Sequence, residues 1–139
     1  VRIAVLVALV AVGAGMLLPP GWIGMGRIGA ETLAVRVAAG DPGTVVVDVR
    51  TGFEYRRGHI RGAVSIPLHT LPFRLGALAG VRDRELVLIC LSGHRSRLAG
   101  LVLHAAGFPH VTNLDGGMAA WRGRGLPEVG APGLARERV

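Results

Sequence analysis

The sequence predicts an α/β domain in which a mostly parallel sheet carries helices on both faces. Three observations lead there. Val45–Val49 and Leu86–Cys90 are nearly all apolar, as strands buried on both faces must be. Segments with helical spacing fall between the strand-like ones, so strands and helices alternate along the chain. The 139 residues suffice for one domain with a core, and not for two of ordinary size.

The elements follow in order. Ala30, Leu33, Ala34, Val37 and Ala38 recur at helical spacing, and Gly40 stops the run. Asp41-Pro42-Gly43 is a turn, and Val45–Val49 is the first strand. Phe53 to Arg57 makes a short helix ended by Gly58. Ala63–Ile66 is a second strand, closed by Pro67. Leu71 to Leu78 is expected to be a helix, with Pro72 in its first turn. Leu86–Cys90 is the next strand. Leu98, Leu101, Val102 and Ala105 mark one face of a helix that ends at Gly107. His110–Leu114 is a short strand, and Asp115-Gly116-Gly117 turns into a last helix carrying Met118, Ala119 and Trp121. Trp121, at helical spacing from Met118, is expected in the core. No strand is followed by a phosphate-binding G-x-G-x-x-G or a Walker loop.

Ahead of this domain lies an apolar segment. Arg2 is followed by 23 residues, Ile3 to Met25, without a charge. A bilayer core takes about 20 apolar residues as a helix. Pro19-Pro20 would end or kink that helix, and Trp22 would suit the interface just beyond it. The segment therefore reads either as a retained transmembrane anchor or as a signal peptide with Ile3–Val12 as its apolar core. Both readings place the globular part outside the cytoplasm, in the periplasm of a bacterium. If uncleaved, residues 3–25 make the membrane a partner. The expected division is residues 1–27 as anchor or signal, 28–127 as the domain, and 128–139 as a flexible tail rich in Gly, Pro and Arg.

Composition narrows the function. Half of the chain is apolar and 18% is charged, which argues against disorder. One cysteine excludes an internal disulfide framework and a cysteine-cluster metal site, and His69, His104 and His110 show no ligand spacing. The net charge of +7 comes from arginines spread between Arg2 and Arg138. Without a basic run or interleaved aromatics, this is a solvated basic surface rather than a nucleic-acid site.

The chemistry converges on Cys90. It closes a buried strand, Leu91-Ser92-Gly93-His94-Arg95 follow, and Ser96 opens a helix. A thiol in a tight loop at a helix N-terminus faces unpaired N–H groups and the positive end of the helix dipole. Both favour thiolate, the nucleophilic form. Gly93 allows backbone angles closed to other residues, and His94 and Arg95 add donors or positive charge. A free cysteine elsewhere is often just a small hydrophobe. The strand–Cys–Gly-containing loop–helix context gives this one a role.

Several motifs now resemble those of rhodanese domains. Asp48-Val49-Arg50, Glu54-Tyr55-x-x-Gly58-His59-Ile60-x-Gly62-Ala63 and Ile66-Pro67 are similar to their first signature. Cys90-x-Ser92-Gly93-x-Arg95-Ser96 is similar to their active-site loop. Gly107-Phe108, Leu114-Asp115-Gly116-Gly117, Trp121 and Gly125-Leu126-Pro127 are similar to their closing signature. The resemblance spans about Ile28 to Pro127. It implies a five-stranded sheet, and a Cys90 that accepts a sulfane sulfur as a persulfide and passes it to cyanide or a thiol. It implies that the amides of Leu91, Ser92, Gly93, His94, Arg95 and Ser96 bind the persulfide or an anionic donor. No metal or organic cofactor is implied. The partners would be a small anionic sulfur donor and a thiol acceptor, free or carried on a protein.

Supporting residues have quieter expected roles. Asp48 and Arg50 buttress the loops, Glu54 pairs with Arg95, His59 is packed and hydrogen-bonded, and His94 lines the mouth of the site. Four residues separate Cys90 from Arg95, whereas related phosphatases and arsenate reductases typically carry one more to seat a tetrahedral oxyanion. Leu91 stands where many relatives have a basic residue, which weakens thiosulfate as the natural donor relative to a persulfide or polysulfide. The competing readings are a non-enzymatic sulfur carrier docking a membrane partner, and, against the loop length, a phosphatase or arsenate reductase.

Overall fold

The computed structural model describes residues 25–130. Five parallel strands form one sheet in the order β1-β5-β4-β2-β3: β1 (Gly26–Ile28), β2 (Thr44–Asp48), β3 (Val64–Ser65), β4 (Glu85–Ile89) and β5 (Val111–Leu114). Four α-helices connect or follow them: α1 (Ala30–Ala38), α2 (Gly52–Arg57), α3 (His94–Ala105) and α4 (Gly117–Gly123).

The apolar strands divide their side chains between two cores. Val47, Leu86, Leu88, Cys90 and Val111 face Ala99, Val102 and Leu103 of α3, with Leu71, Leu78 and Phe108. Val46, Val87, Ile89 and Leu114 face Leu33 of α1 and Met118 and Trp121 of α4. Successive residues of a strand point to opposite faces, so a strand covered on both sides must be apolar throughout. That accounts for the unbroken Val45-Val46-Val47 and Leu86-Val87-Leu88-Ile89 runs. Because every pairing is parallel, the C-terminal ends of β2, β4 and β5 lie along one edge, where the site is assembled.

Several expectations change. The segment expected as one helix from Leu71 to Leu78 is two 3₁₀ helices, Leu71–Phe73 and Leu75–Val81. Pro72 lacks a donor, and Gly76 and Gly80 weaken an α-helix, so the chain takes short tighter turns instead. Only Leu71, Pro72 and Leu78 are buried there, and Phe73 is 73% exposed. The sheet begins at Gly26, two residues before the expected boundary at Ile28. β1 is an edge strand with one buried residue, Ile28, and so carries no periodic signal. At the other end, residues 128–130 are tied down rather than loose. His59 and Val129 exchange N–H···O bonds of 2.8 Å, and Trp121 Nε1 donates to the Pro127 carbonyl at 3.0 Å.

The expected membrane anchor or signal segment is not upheld. Among the described residues no helix is long and apolar enough to cross a membrane. Met25, counted with that segment, packs against the domain core instead. Residues 3–24 of the expected span lie outside the described residues. The membrane as a partner and the periplasmic placement rested on that segment alone, and both are withdrawn with it.

Candidate active site

Cys90 directly follows β4 and is 1% exposed. The chain then makes a tight loop, and Gly93 caps α3 with φ 97°, a left-handed conformation that favours glycine. The helix therefore begins at His94, two residues earlier than the sequence indicates. The Gly93 N–H donates to Cys90 Sγ at 2.7 Å, and Ser96 Oγ lies 3.5 Å from the same sulfur.

The loop is held from behind by α4. The carbonyls of Cys90 and Leu91 accept the N–H groups of Met118 and Ala119 at 2.8 and 3.0 Å. Gly117 permits this approach, because a Cβ there would sit 2.3 Å from the Cys90 carbonyl oxygen. The loop carbonyls are thus occupied. The N–H groups of Leu91, Ser92, His94, Arg95 and Ser96 donate to no backbone carbonyl among the described residues. Ordinarily such donors at a helix start are met by a side-chain cap, but α3 has none.

Charged side chains brace this arrangement from β2 and α2. Arg95 grips Glu54 through two hydrogen bonds of 2.7 and 3.0 Å. Glu54 is placed in turn by a capping box: its N–H donates to Thr51 Oγ1 at 3.2 Å, and its Oε1 accepts from the Thr51 N–H at 3.3 Å. The Arg95 hydrogen bond, helped by Thr51, lowers the Glu54 pKa to about 2 against the opposing effect of burial. The Arg95 pKa is raised, first by the Glu54 hydrogen bond and further by the negative charges of Glu54, Cys90 and Asp48. Asp48 and Arg50 form a fully buried pair, with Arg50 Nη2 2.7 Å from Asp48 Oδ2 and 2.7 Å from the Gly58 carbonyl. The pair joins the end of β2 to the end of α2.

The remaining expected residues separate by position. His59 stacks on Tyr55 with ring centroids 3.7 Å apart, and its Nδ1 is 2.8 Å from the Tyr55 carbonyl oxygen. It packs against the end of α2, and its backbone pairs with Val129. His94 and Ser92 are exposed on the loop, and Leu91 is 43% exposed. Leu91 also walls a hollow of about 700 Å³ shared with Phe53, Glu54, Arg57 and Arg122. Sequence reasoning missed Asn113 on β5, which contacts Ser96 at 2.5 Å. A polar amide in a four-residue buried strand is the signal that could have found it, since Asn is depleted in strands. It also missed the support from Gly117, Met118 and Ala119, which is made by backbone and leaves little trace in side-chain pattern.

A parallel α/β sheet with one buried cysteine in the loop that opens a helix defines the class of domain, and its likeness to known proteins specifies which. Residues 30–124 match the rhodanese-like domain family. A sulfurtransferase from Allochromatium vinosum is 37% identical over 77% of this chain and 97% of that protein. The thiosulfate sulfurtransferase GlpE of Stutzerimonas stutzeri is 38% identical over 58% of this chain and 72% of its own. The solution structure of the rhodanese-like domain of an Anabaena protein superposes with a TM-score of 0.67 at 31% identity, covering 75% of this chain and 78% of that one. The chain belongs to the rhodanese-like domain family. Membership and the single buried cysteine support a general sulfurtransferase-type activity.

Proposed function

We propose that Cys90 takes a sulfane sulfur from thiosulfate, a persulfide or a polysulfide and passes it to cyanide or a thiol. The observation that carries this reading is the 2.7 Å hydrogen bond from the Gly93 N–H to Sγ, in a loop whose neighbouring N–H groups have no backbone acceptor among the described residues. Such donors stabilise negative charge on sulfur, before transfer and on the persulfide after it.

With thiosulfate, Sγ attacks the outer sulfur, and the S–S bond breaks with its electron pair leaving on sulfite. Cys90 then carries one extra sulfur as a persulfide anion. An acceptor thiolate attacks that terminal sulfur, and the Cys90 thiolate leaves with the bonding pair. Cyanide in the same role yields thiocyanate. The amides of Leu91, Ser92, Gly93, His94, Arg95 and Ser96 bind the anionic sulfur, Arg95 adds a fixed positive charge, and His94 stands at the mouth. Asp48, Arg50, Glu54 and His59 support the loops without touching substrate. Leu91 supplies no charge, which suits a persulfide or polysulfide donor better than doubly anionic thiosulfate. The sequence contains no second cysteine to resolve the persulfide, so release comes from an external acceptor or from a second copy of the chain.

Intact mass of the full chain tests the reading. Exposure to donor is expected to add one sulfur atom, removable by cyanide and absent in Cys90→Ala, which should fold normally. If no donor of the three classes adds a sulfur, the proposal is wrong.

A further inference from the structure

The geometry points to Asn113 as a residue that positions the reactive sulfur by acting through Ser96. The inference rests on the sulfur-transfer reading for its purpose, and on the hydrogen-bond geometry for its substance. Ser96 Oγ is buried among three groups: the Gly93 carbonyl oxygen at 3.0 Å, the Asn113 side-chain amide at 2.5 Å and Cys90 Sγ at 3.5 Å. A hydroxyl has one proton to give and two lone pairs to accept with.

The Gly93 carbonyl can only accept, and so can a Cys90 thiolate. As placed, Ser96 Oγ donates to Asn113 Oδ1, so three acceptors compete for one proton and the sulfur loses it to the nearer amide. Turning the amide over exchanges Oδ1 for Nδ2, two atoms that shape alone does not distinguish. Nδ2 then donates to Ser96 Oγ, and the Ser96 proton is released to the Gly93 carbonyl or to Sγ. In that arrangement two acceptors rather than three compete for the proton. When Cys90 is anionic its full charge draws the proton away from the nearer but neutral Gly93 carbonyl, giving Sγ two donors, the Gly93 N–H and the Ser96 O–H.

Asn113 is well held for this task. Its backbone pairs with Leu88 of β4, two residues before Cys90, so the amide and the sulfur ride on neighbouring strands. The charged groups around the sulfur come from elsewhere. They are Arg95 and His94 on its own loop, Asp48 and Arg50 at the end of β2, and Glu54 on α2. β5 leads into Asp115, which is paired with Arg27, and the first turn of α4 carries no acidic residue. An Asn113 substitution leaves all of them in place.

The test is the rate at which iodoacetamide alkylates Cys90 in the full chain at a fixed neutral pH. This readout uses no sulfur donor, so it is independent of whether the chain transfers sulfur. Asn113→Leu fills the same space without hydrogen bonds or charge, and Asn113→Asp keeps the shape but offers only acceptors and adds a negative charge near the sulfur. Both are expected to slow alkylation about tenfold, the loss of one hydrogen bond to a charged sulfur. Ser96→Ala should slow it similarly, and adding Asn113→Leu to Ser96→Ala should slow it no further. In sulfur transfer, kcat should fall with KM for the donor unchanged. A wild-type alkylation rate in Asn113→Leu, or full additivity of Asn113→Leu with Ser96→Ala, overturns the assignment.

Discussion

β2 and β4 run side by side, and each delivers the chain into a helix at the same end of the sheet. The two turns are finished in opposite ways. After β2, the starting helix is closed by its own residues: Thr51 and Glu54 form a capping box, and the Asp48 carboxylate is neutralised by Arg50. After β4, the cap is Gly93, which has no side chain, and its N–H is turned to the Cys90 sulfur. The difference teaches how one scaffold makes a support and a site from the same topology. A helix start whose donors are met internally becomes rigid. One whose donors are left unmet stays open to an anion, and the closed turn is tied to the open one through the Glu54–Arg95 link.

The largest effect should come from breaking the closed turn at its buried pair. Asp48→Ala leaves Arg50 charged, buried and without its main partner. Removing one member of a buried pair costs on the order of 3–5 kcal/mol. Urea unfolding should show the loss as a lower midpoint with an unchanged m value. A cost under about 1 kcal/mol would mean that the pair is not what rigidifies this turn.

A smaller effect is expected from cutting the link between the turns. Glu54→Gln removes the carboxylate that fixes Arg95, and sulfur transfer should fall on the order of tenfold, as for one charge-assisted hydrogen bond. The pH dependence has a definite sign. The Glu54 pKa is depressed in the folded protein from its ordinary 4.5 to about 2. The stabilisation it gives is therefore complete above about pH 4.5 and is lost as the pH falls toward about 2. The stability gap between wild type and Glu54→Gln should close over that window. A gap that stays constant there would show that the pair contributes nothing through ionisation.

How much of this was legible depends on how far apart the interacting residues lie. The central strands and the cysteine loop were readable because apolar runs and a Cys-to-Gly-to-helix order are local patterns. The pairing of Glu54 with Arg95, 41 residues apart, was reachable only through the family resemblance. The contact of Asn113 with Ser96 was not reached at all, since it depends on β4 and β5 lying in parallel register. β1 was hidden because one buried residue in three makes no period. The apolar run at the N-terminus gave the opposite error. Its composition suggested a membrane span, while Met25, its last residue, packs against the domain core and Gly26 opens the sheet.

The smallest effect sharpens the comparison most, because it changes the closed turn without touching a charge. Thr51→Ala removes the hydroxyl that accepts the Glu54 N–H at 3.2 Å, leaving α2, like α3, with no N-cap side chain to accept its first N–H groups. Loss of such a cap costs about 1 kcal/mol. The Arg95 hydrogen bonds to Glu54 remain available, so sulfur transfer should change by less than the Glu54→Gln substitution changes it. Stability by urea unfolding and transfer rate by thiocyanate formation would be compared in the same preparation. If Thr51→Ala lowers transfer as far as Glu54→Gln does, the capping box itself aims Arg95 at the sulfur. If it lowers stability alone, the closed turn serves as a foundation, and the aim is set by the Glu54 carboxylate.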